Sequence, residues 1–217
     1  IELGKGFNYN KGSFNTNLYL MEYNNQLITT GEVNDVGAYI RENVKKSRRF
    51  GVEFTNVLNT KDFYVNSSLS LSRNLVYNFN ETLYDYGADF SQYNIIENKY
   101  GVTDLAFSPG VLLNNHFEWK ANKFLSFILN SKYLGKQYLD NTSNEKRVLK
   151  DFLINDFKIQ TNLTNNVLNN LFFKIEINNI FNVKYSSNGY TFGYYGGMDY
   201  EVRENYFYPQ ATRNIMF

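Results

Sequence analysis

The sequence predicts an all-β fold of antiparallel strands that form a segment of a transmembrane β-barrel, and three observations lead to this prediction. Apolar and polar residues alternate with a period of two in several long runs, as they do in a strand with two different faces. The connections between these runs are alternately short and long, which is typical of barrels with tight periplasmic turns and long extracellular loops. No run approaches the roughly eighteen apolar residues that a membrane helix needs.

About nine strands follow from the alternation. They span residues 1–9, 14–27, 47–58, 62–77, 102–120, 124–135, 151–161, 170–180 and 206–217. The connections are short at NKGS, NTKD and ANK, moderate at NLTNNVLN, and long at 28–46, 78–101, 136–150 and 181–205. Because successive connections of antiparallel strands lie at opposite ends, the short turns are predicted at one end of the barrel and the long loops at the other.

Three of these strands show the alternation most clearly, and each is predicted to have one apolar and one polar face. The apolar faces are formed by Phe50, Val52, Phe54 and Leu58; by Phe63, Val65, Leu69 and Leu71; and by Leu171, Phe173, Ile175 and Ile177. The opposite faces are formed by Arg49, Gly51, Glu53 and Thr55; by Tyr64, Asn66, Ser68, Ser70 and Ser72; and by Lys174, Glu176 and Asn178. In a membrane barrel the apolar face contacts lipid and the polar face lines the lumen.

The strand at 111–120 carries the only tryptophan and the only histidine of the chain. Trp119 lies on the apolar face beside a short turn, where the aromatic girdle of a membrane barrel belongs; a half-buried tryptophan at any strand end is the alternative. His116 lies on the polar face, and we expect a hydrogen-bonded side chain rather than a metal ligand. A soluble β-sandwich also alternates, but its strands are usually shorter and its loops are less regularly sorted by length.

The composition narrows the classes of partner. The 217 residues include 22 Lys and Arg and 21 Asp and Glu, and the resulting formal charge of +1 does not indicate a nucleic-acid partner. Aromatic residues make up 18% of the chain, mostly 19 Tyr and 19 Phe. Tyrosine prefers positions where the ring is buried and the hydroxyl contacts water. The absence of cysteine excludes disulfides and thiolate metal sites.

Three motifs stand near the end of the chain: NNIFNVKY from Asn178, SNGYTFGYYGG, and YFYPQATRN from Tyr206 to Asn214. With them the sequence resembles the C-terminal end of TonB-dependent outer-membrane receptors, particularly the Bacteroidetes type. Further motifs lie upstream in YLMEYNNQLITTGEVNDVGAYIRENVKKSRRFGVEF, LAFSPGVLLNNHFEW and YLGKQYLDNTSNE, so the resemblance covers nearly the whole chain. It implies a 22-stranded barrel with an N-terminal plug, of which residues 1–217 are the C-terminal portion, about nine strands.

The resemblance implies a receptor in the outer membrane of a Gram-negative bacterium, embedded in lipid and coupled to TonB through an N-terminal part that this chain lacks. Its expected cargo is a ferric siderophore or other iron chelate, with haem or cobalamin as alternatives. Since Ile1 is not methionine and no signal sequence follows it, we expect a piece of a longer chain, and Phe217 is expected to be a truncation. Alone, the piece would expose two unpaired edges and should aggregate. The alternatives are a passive porin-like channel and a soluble, glycan-binding β-sandwich.

The long loops at 78–101 and 181–205 contain the candidate ligand-binding residues. Tyrosine and glycine together offer flat contact area and hydroxyl groups on an adaptable backbone. The aromatic residues of the two loops are Tyr84, Tyr86, Phe90, Tyr93 and Tyr100, and Tyr185, Tyr190, Phe192, Tyr194, Tyr195 and Tyr200. The predicted ligand contacts among them are Tyr84, Tyr86, Tyr190, Tyr194, Tyr195 and Tyr200; packing in the girdle or the barrel rim is the alternative for the same rings.

Other candidate sites carry weaker signals. Lys45, Lys46, Arg48 and Arg49 form a basic cluster where the predicted strand 47–58 begins, and such a cluster either attracts anions or is simply solvated. The run DNTSNE at 140–145 has oxygen donors but lacks the glycine of a calcium loop, so no metal site is predicted there. Asp85 and Asp89 could line a pocket beside Tyr84 and Tyr86.

The sequence shows no Ser/His/Asp order, phosphate loop or carboxylate pair of an enzyme. We therefore predict a non-enzyme without a cofactor.

Overall fold

The computed structural model describes residues 1–34, 36–163, 171–197 and 200–217. The described residues form sixteen β-strands and no helix. The strands are β1 Glu2–Tyr9, β2 Gly12–Val33, β3 Tyr39–Asn59, β4 Phe63–Tyr77, β5 Asn80–Asp85, β6 Asn94–Lys99, β7 Val102–Asp104, β8 Val111–Lys120, β9 Leu125–Leu134, β10 Gln137–Tyr138, β11 Val148–Leu149, β12 Phe152–Leu163, β13 Leu171–Asn178, β14 Ser186–Tyr195, β15 Glu201–Pro209 and β16 Asn214–Met216. A search of the described residues finds no helix long and apolar enough to span a membrane.

The main sheet is an antiparallel meander in the order β1-β2-β3-β4-β8-β9-β12-β13-β16, with β7 also paired to β4. Neighbours along this path are joined by short connections at 10–11, 60–62 and 121–124 at one end of the sheet. At the other end the β2–β3 connection at 34–38 is also short, whereas those at 78–110, 135–151 and 179–213 are long and contain further strands. The predicted all-β, antiparallel fold is confirmed, and the predicted sorting of the connections by length holds except at the β2–β3 hairpin. The moderate connection NLTNNVLN lies largely outside the described residues.

The strand register aligns apolar residues into rows across the sheet. Residues directly opposite each other on paired strands share a face. One row is Leu58, Val65, Phe117, Leu129, Phe157, Ile177 and Ile215. On the other face, a polar row consists of Asn66, His116, Asn130 and Asp156. The predicted facing of the strands is therefore confirmed over most of the sheet.

A polar row crosses the apolar face of the sheet. The row consists of Asn56, Ser67, Asn115, Ser131 and Asn155. Hydrogen bonds satisfy its members in pairs: the Ser67 hydroxyl donates to Asn115 at 2.6 Å, and the Ser131 hydroxyl donates to Asn155 at 2.6 Å. Mutual hydrogen bonding lowers the cost of placing these side chains among apolar neighbours.

Two predicted strands are broken. The strand predicted at 102–120 is interrupted at 105–110, where Phe107 has a φ of 53° and Pro109 has no N–H to donate. The N–H of Ala106 donates to the side chain of Asn141 at 2.8 Å, so a loop residue replaces the neighbouring strand as its partner. The strand predicted at 206–217 is also two elements, since β15 ends at Pro209 and belongs to a different sheet from β16.

The predicted long loops are largely strands, and this part of the prediction is wrong. Residues 28–46 extend the β2–β3 hairpin, 136–150 contain the short β10–β11 pair, and 78–101 and 181–205 build a second sheet. The order of that second sheet, here called the loop sheet, is β15-β14-β5-β6. The glycines of β14 obscured its alternation in the sequence.

A small hydrophobic core lies where the extended hairpin and the strand that leads into the loop sheet meet. Its buried members are Ile28, Val44, Val76, Phe79 and Leu105, and Tyr100 packs against it. The phenol of Tyr39, at the tip of the same hairpin, donates to the carbonyl of Gly189 in β14 at 2.9 Å. The loop sheet is thus fixed to the main sheet through packed side chains and hydrogen bonds.

Candidate ligand-binding site

Six aromatic side chains meet on one face of the loop sheet and form what we call the aromatic platform. Its members are Tyr84, Tyr86, Phe90, Tyr93, Phe192 and Tyr194. Tyr86 is central, because its ring lies 6.0 Å from Tyr93, 6.4 Å from Phe90 and 5.8 Å from Tyr194 between ring centroids. Tyr84 stacks on Tyr93 at 5.1 Å, and Phe192 contacts Tyr194 at 5.8 Å. The platform therefore joins two loops that are far apart in the sequence.

Backbone contacts at the ends of β5 and β14 bring the two loops together. Tyr195 pairs with Asp85 in parallel orientation, and the N–H of Tyr86 donates to the carbonyl of Tyr195 at 2.9 Å. The Asp85 carboxylate accepts from the N–H of Gly197 at 2.9 Å and from that of Gly87 at 3.0 Å. Both glycines have positive φ, which other residues adopt only with strain. Asp85 therefore organises the junction, and the structure gives it this role instead of that of a pocket-lining group.

The six predicted ligand residues do not form one group. Tyr84, Tyr86 and Tyr194 lie in the platform, whereas Tyr190 stacks on Tyr206 at 4.9 Å farther along the same face of β14. Tyr195 follows Tyr194 directly and so points to the opposite face of the strand.

The remaining candidate, Tyr200, lies at the β14–β15 turn with 68% of its surface exposed. Three further members of the platform, Phe90, Tyr93 and Phe192, were recognised in the sequence as loop aromatics but not as ligand contacts. Alternation within β14 places Phe192 between Tyr190 and Tyr194, and this signal would have identified it.

The opposite face of the loop sheet covers a buried ion-pair network. Its members are Glu81, Asp140, Arg147, Glu201 and Arg203. The Arg147 guanidinium contacts Glu81 and Asp140, each at 2.8 Å, and Glu201 at 3.1 Å, while Arg203 contacts Glu81 at 2.7 Å. These residues come from three different predicted loops, so the network holds the loops together.

Glu81, a member of this network, and Tyr100, which donates a hydrogen bond to Glu81, have shifted pKa values. Burial acts to raise the pKa of Glu81, but the charges of Arg147 and Arg203 and hydrogen bonds from Tyr100 and Asn98 outweigh it and hold that pKa below its usual range. Burial and the adjacent Glu81 carboxylate raise the pKa of Tyr100 to about 12. Glu81 is therefore ionised and Tyr100 is a neutral donor at physiological pH.

Gly193 allows Arg203 to reach this network. A Cβ atom at position 193 would collide with the Arg203 guanidinium, which crosses the buried face of β14 at this point. Gly193 does not have a positive φ, so its backbone conformation does not require glycine. The lack of a side chain instead leaves space for the Arg203 guanidinium. Phe192 and Tyr194, on either side of Gly193, point to the platform face.

The weaker candidates have structural roles. The predicted basic cluster lies inside β3, not at the beginning of a strand: Arg48 pairs with Glu22, and Lys46 lies 5.5 Å from the ring of Tyr77. Asp140 binds Arg147, and Glu145, the other acidic end of DNTSNE, binds Lys136 at 2.6 Å.

Asp89 and His116 have local partners as well. The Asp89 carboxylate accepts from the Ser91 hydroxyl at 2.7 Å, and the Nδ1 atom of His116 lies 2.8 Å from the Asn130 side-chain oxygen. Trp119 stacks on Phe127 at 5.4 Å beside the short turn, at the predicted position. Within the described ranges, no three His, Asp or Glu residues are placed to hold a metal ion.

The chain is similar in structure to known proteins, but comparisons with family models and with curated sequences find no match. The siderophore receptor PiuA from Acinetobacter baumannii superposes with a TM-score of 0.69 at 15% identity, over 99% of this chain and 27% of the receptor.

Two other solved structures give similar results. The ferric-catecholate import receptor Fiu from E. coli K12 matches with a TM-score of 0.64 at 17% identity, over 99% of this chain and 26% of that chain. The ferric citrate transporter FecA matches with a TM-score of 0.62 at 19% identity, over 99% of this chain and 29% of the transporter. The chain therefore has the fold of the barrel portion of such receptors and spans only about a quarter of their length.

Proposed function

We propose that this chain is the C-terminal part of an outer-membrane receptor that takes up an iron chelate by TonB-coupled transport. The observation that carries the proposal is the aromatic platform, six clustered rings on a sheet that the ion-pair network joins to the β10–β11 segment. The fold supports it, because the similar solved structures are receptors or transporters for iron chelates.

The platform suits the capture of a bulky chelate. Phe90, Tyr93 and Phe192 are exposed, so their rings are accessible to a ligand. Aromatic side chains bury a large area at low entropic cost, and the tyrosine hydroxyls add hydrogen bonds. Because the ion-pair network organises the loops before binding, little ordering remains when the ligand arrives.

The remainder of the transport machinery belongs to the proposal as well. The remaining strands of a 22-stranded barrel, a plug and the segment that contacts TonB would be supplied by sequence N-terminal to this chain. The apolar rows of the main sheet, including half-buried Phe117 and Leu129, would contact lipid in the outer membrane of a Gram-negative bacterium of the Bacteroidetes type, and the protein would act without catalysis. An apolar surface of this extent indicates a membrane or a protein interface.

Iron uptake by the full-length receptor under iron limitation tests the function. Tyr86→Ala combined with Tyr194→Ala should reduce uptake of labelled ferric siderophore at least tenfold and leave the amount of folded receptor in the outer membrane unchanged. Tyr206→Ala is the matched control, since it removes an exposed ring on the same face of the loop sheet but outside the platform. Equal uptake by both variants and the unaltered receptor would refute the platform as a binding site.

A further inference from the structure

We propose that the aromatic platform selects an iron chelate without net negative charge, such as a neutral ferric trihydroxamate, over a trianionic ferric tricatecholate. The inference rests on the proposed function and adds the class of substrate. Two features of the loop sheet carry it: the carboxylates around the platform, and the partners of the arginines beneath it.

Carboxylates predominate on the face that carries the platform. The register places Glu204 directly opposite Phe192, so its carboxylate shares that face. Asp89 lies in the turn between Tyr86 and Tyr93, where hydrogen bonds from Ser91 lower its pKa and keep it ionised.

The hairpin strand β6 adds one charge of each sign. Glu97 lies opposite Thr82, two residues before Tyr84, and Lys99 lies opposite Asn80, farther from the platform. On the platform face of the described strands β5, β6, β14 and β15, the register therefore places two carboxylates, Glu97 and Glu204, and one ammonium group, Lys99, and Asp89 adds a third carboxylate in the turn at 86–93. The local net charge is negative.

The nearby guanidinium groups are bound on the opposite face. Arg147 and Arg203 form ion pairs with Glu81 and Glu201, and Arg147 also pairs with Asp140. Each cation–π contact found among the described residues involves a ring outside the platform. These two guanidinium groups are thus already neutralised beneath the sheet, and Lys99 is the ammonium group that the register places on the platform face of the described strands.

Electrostatics then distinguishes the two classes of chelate. A trianion placed beside these carboxylates is repelled, and the faces of aromatic rings carry negative potential that attracts cations and not anions. A neutral trihydroxamate avoids this repulsion, while its apolar arms contact the rings and its oxygens accept hydrogen bonds from tyrosine hydroxyls.

Binding of two probes to the full-length receptor tests the inference. We expect a ferric trihydroxamate to bind at least tenfold more tightly than a ferric tricatecholate at equal ionic strength. Asp89→Asn combined with Glu204→Gln should strengthen tricatecholate binding about threefold, because the two carboxylates repel the trianion and salt in the solvent weakens this repulsion. Trihydroxamate binding should not change, since the neutral chelate is not repelled. Glu2→Gln in β1 is the control for a change of charge outside the loop sheet.

The outcomes separate the two proposals. If the tricatecholate binds as tightly as the trihydroxamate or more tightly, and Tyr86→Ala still weakens binding, the charge selection is refuted while the receptor function stands. If neither probe binds and Tyr86→Ala has no effect on uptake of any iron chelate, the proposed function and this inference are both refuted.

Discussion

Replacing Arg147 by methionine should loosen the loop sheet from the β10–β11 segment without unfolding the main sheet. Arg147 is 5% exposed and contacts three carboxylates, of which Glu81 and Asp140 are also buried. Methionine leaves Asp140 without a counter-ion, whereas Glu81 keeps Arg203. Removing one partner from a buried ion pair costs about 3–5 kcal/mol, because the remaining charge is uncompensated.

The assay is amide hydrogen exchange of the full-length protein, which measures local opening of the loop sheet. A loss of 3–5 kcal/mol corresponds to exchange about 100 to several thousand times faster at residues 80–99 and 186–205. Exchange in β8 and β9 should not change, because Arg147 does not contact these strands.

A second ion pair provides the matched control. Lys136 and Glu145 lie 2.6 Å apart, closer than the pairs of Arg147, but their side chains are 43% and 68% exposed. Exposed pairs contribute about 0–1 kcal/mol, so Lys136→Met should accelerate exchange less than tenfold. Equal effects of the two substitutions would refute the reasoning that burial, and not distance, determines the contribution of the network.

Three further predictions concern other parts of the molecule. Leu129→Arg should lower the free energy of unfolding in a bilayer by about 2–4 kcal/mol if the apolar row that contains Leu129 lies near the membrane midplane. Asn130→Arg, on the polar face, should lower it much less. Equal losses in denaturant titrations would show that the assignment of the two faces is wrong. Gly193→Ala should displace the Arg203 guanidinium from Glu81 and increase proteolysis of 186–205 in the folded protein. Unchanged cleavage would show that the Arg203 side chain can reach Glu81 without passing Gly193. The pKa of Glu81 is lowered in the folded state from its usual 4.5, so the ionised carboxylate stabilises the loops fully above pH 4.5 and this stabilisation is lost as the pH falls through the lowered pKa. Proteolysis of the loops should therefore increase in that pH range in the unaltered protein. The Glu81→Gln variant, which has no carboxylate to protonate at this position, should show no such increase.

The sequence predicted the path of the main sheet well. Alternation in runs such as 62–72 fixes which residues share a face, since consecutive side chains of a strand point in opposite directions whatever the strand packs against. The interruption at 105–110 was not predictable from alternation. It depends on Asn141, which replaces a strand as the partner of Ala106.

The loops were predicted less well, for a related reason. Glycine and tyrosine in 181–205 were interpreted as an irregular surface, although Tyr190, Phe192 and Tyr194 alternate with Thr191 and Gly193 as a strand requires. Gly193 is present because Arg203 passes beneath it, and nothing near position 193 in the sequence indicates this.

The sequence by itself therefore determined the all-β class, the two faces of the main strands, the short and long connections and the abundance of aromatic residues in two loops. Only the tertiary structure decided that Tyr86 meets Tyr194, that Tyr195 points away from both, and that Arg147 neutralises carboxylates from three segments. The physical reason is that side-chain direction along a strand is a local property of the backbone. Contacts between loops instead depend on how distant segments pair, and here a single parallel contact between Tyr195 and Asp85 sets that pairing.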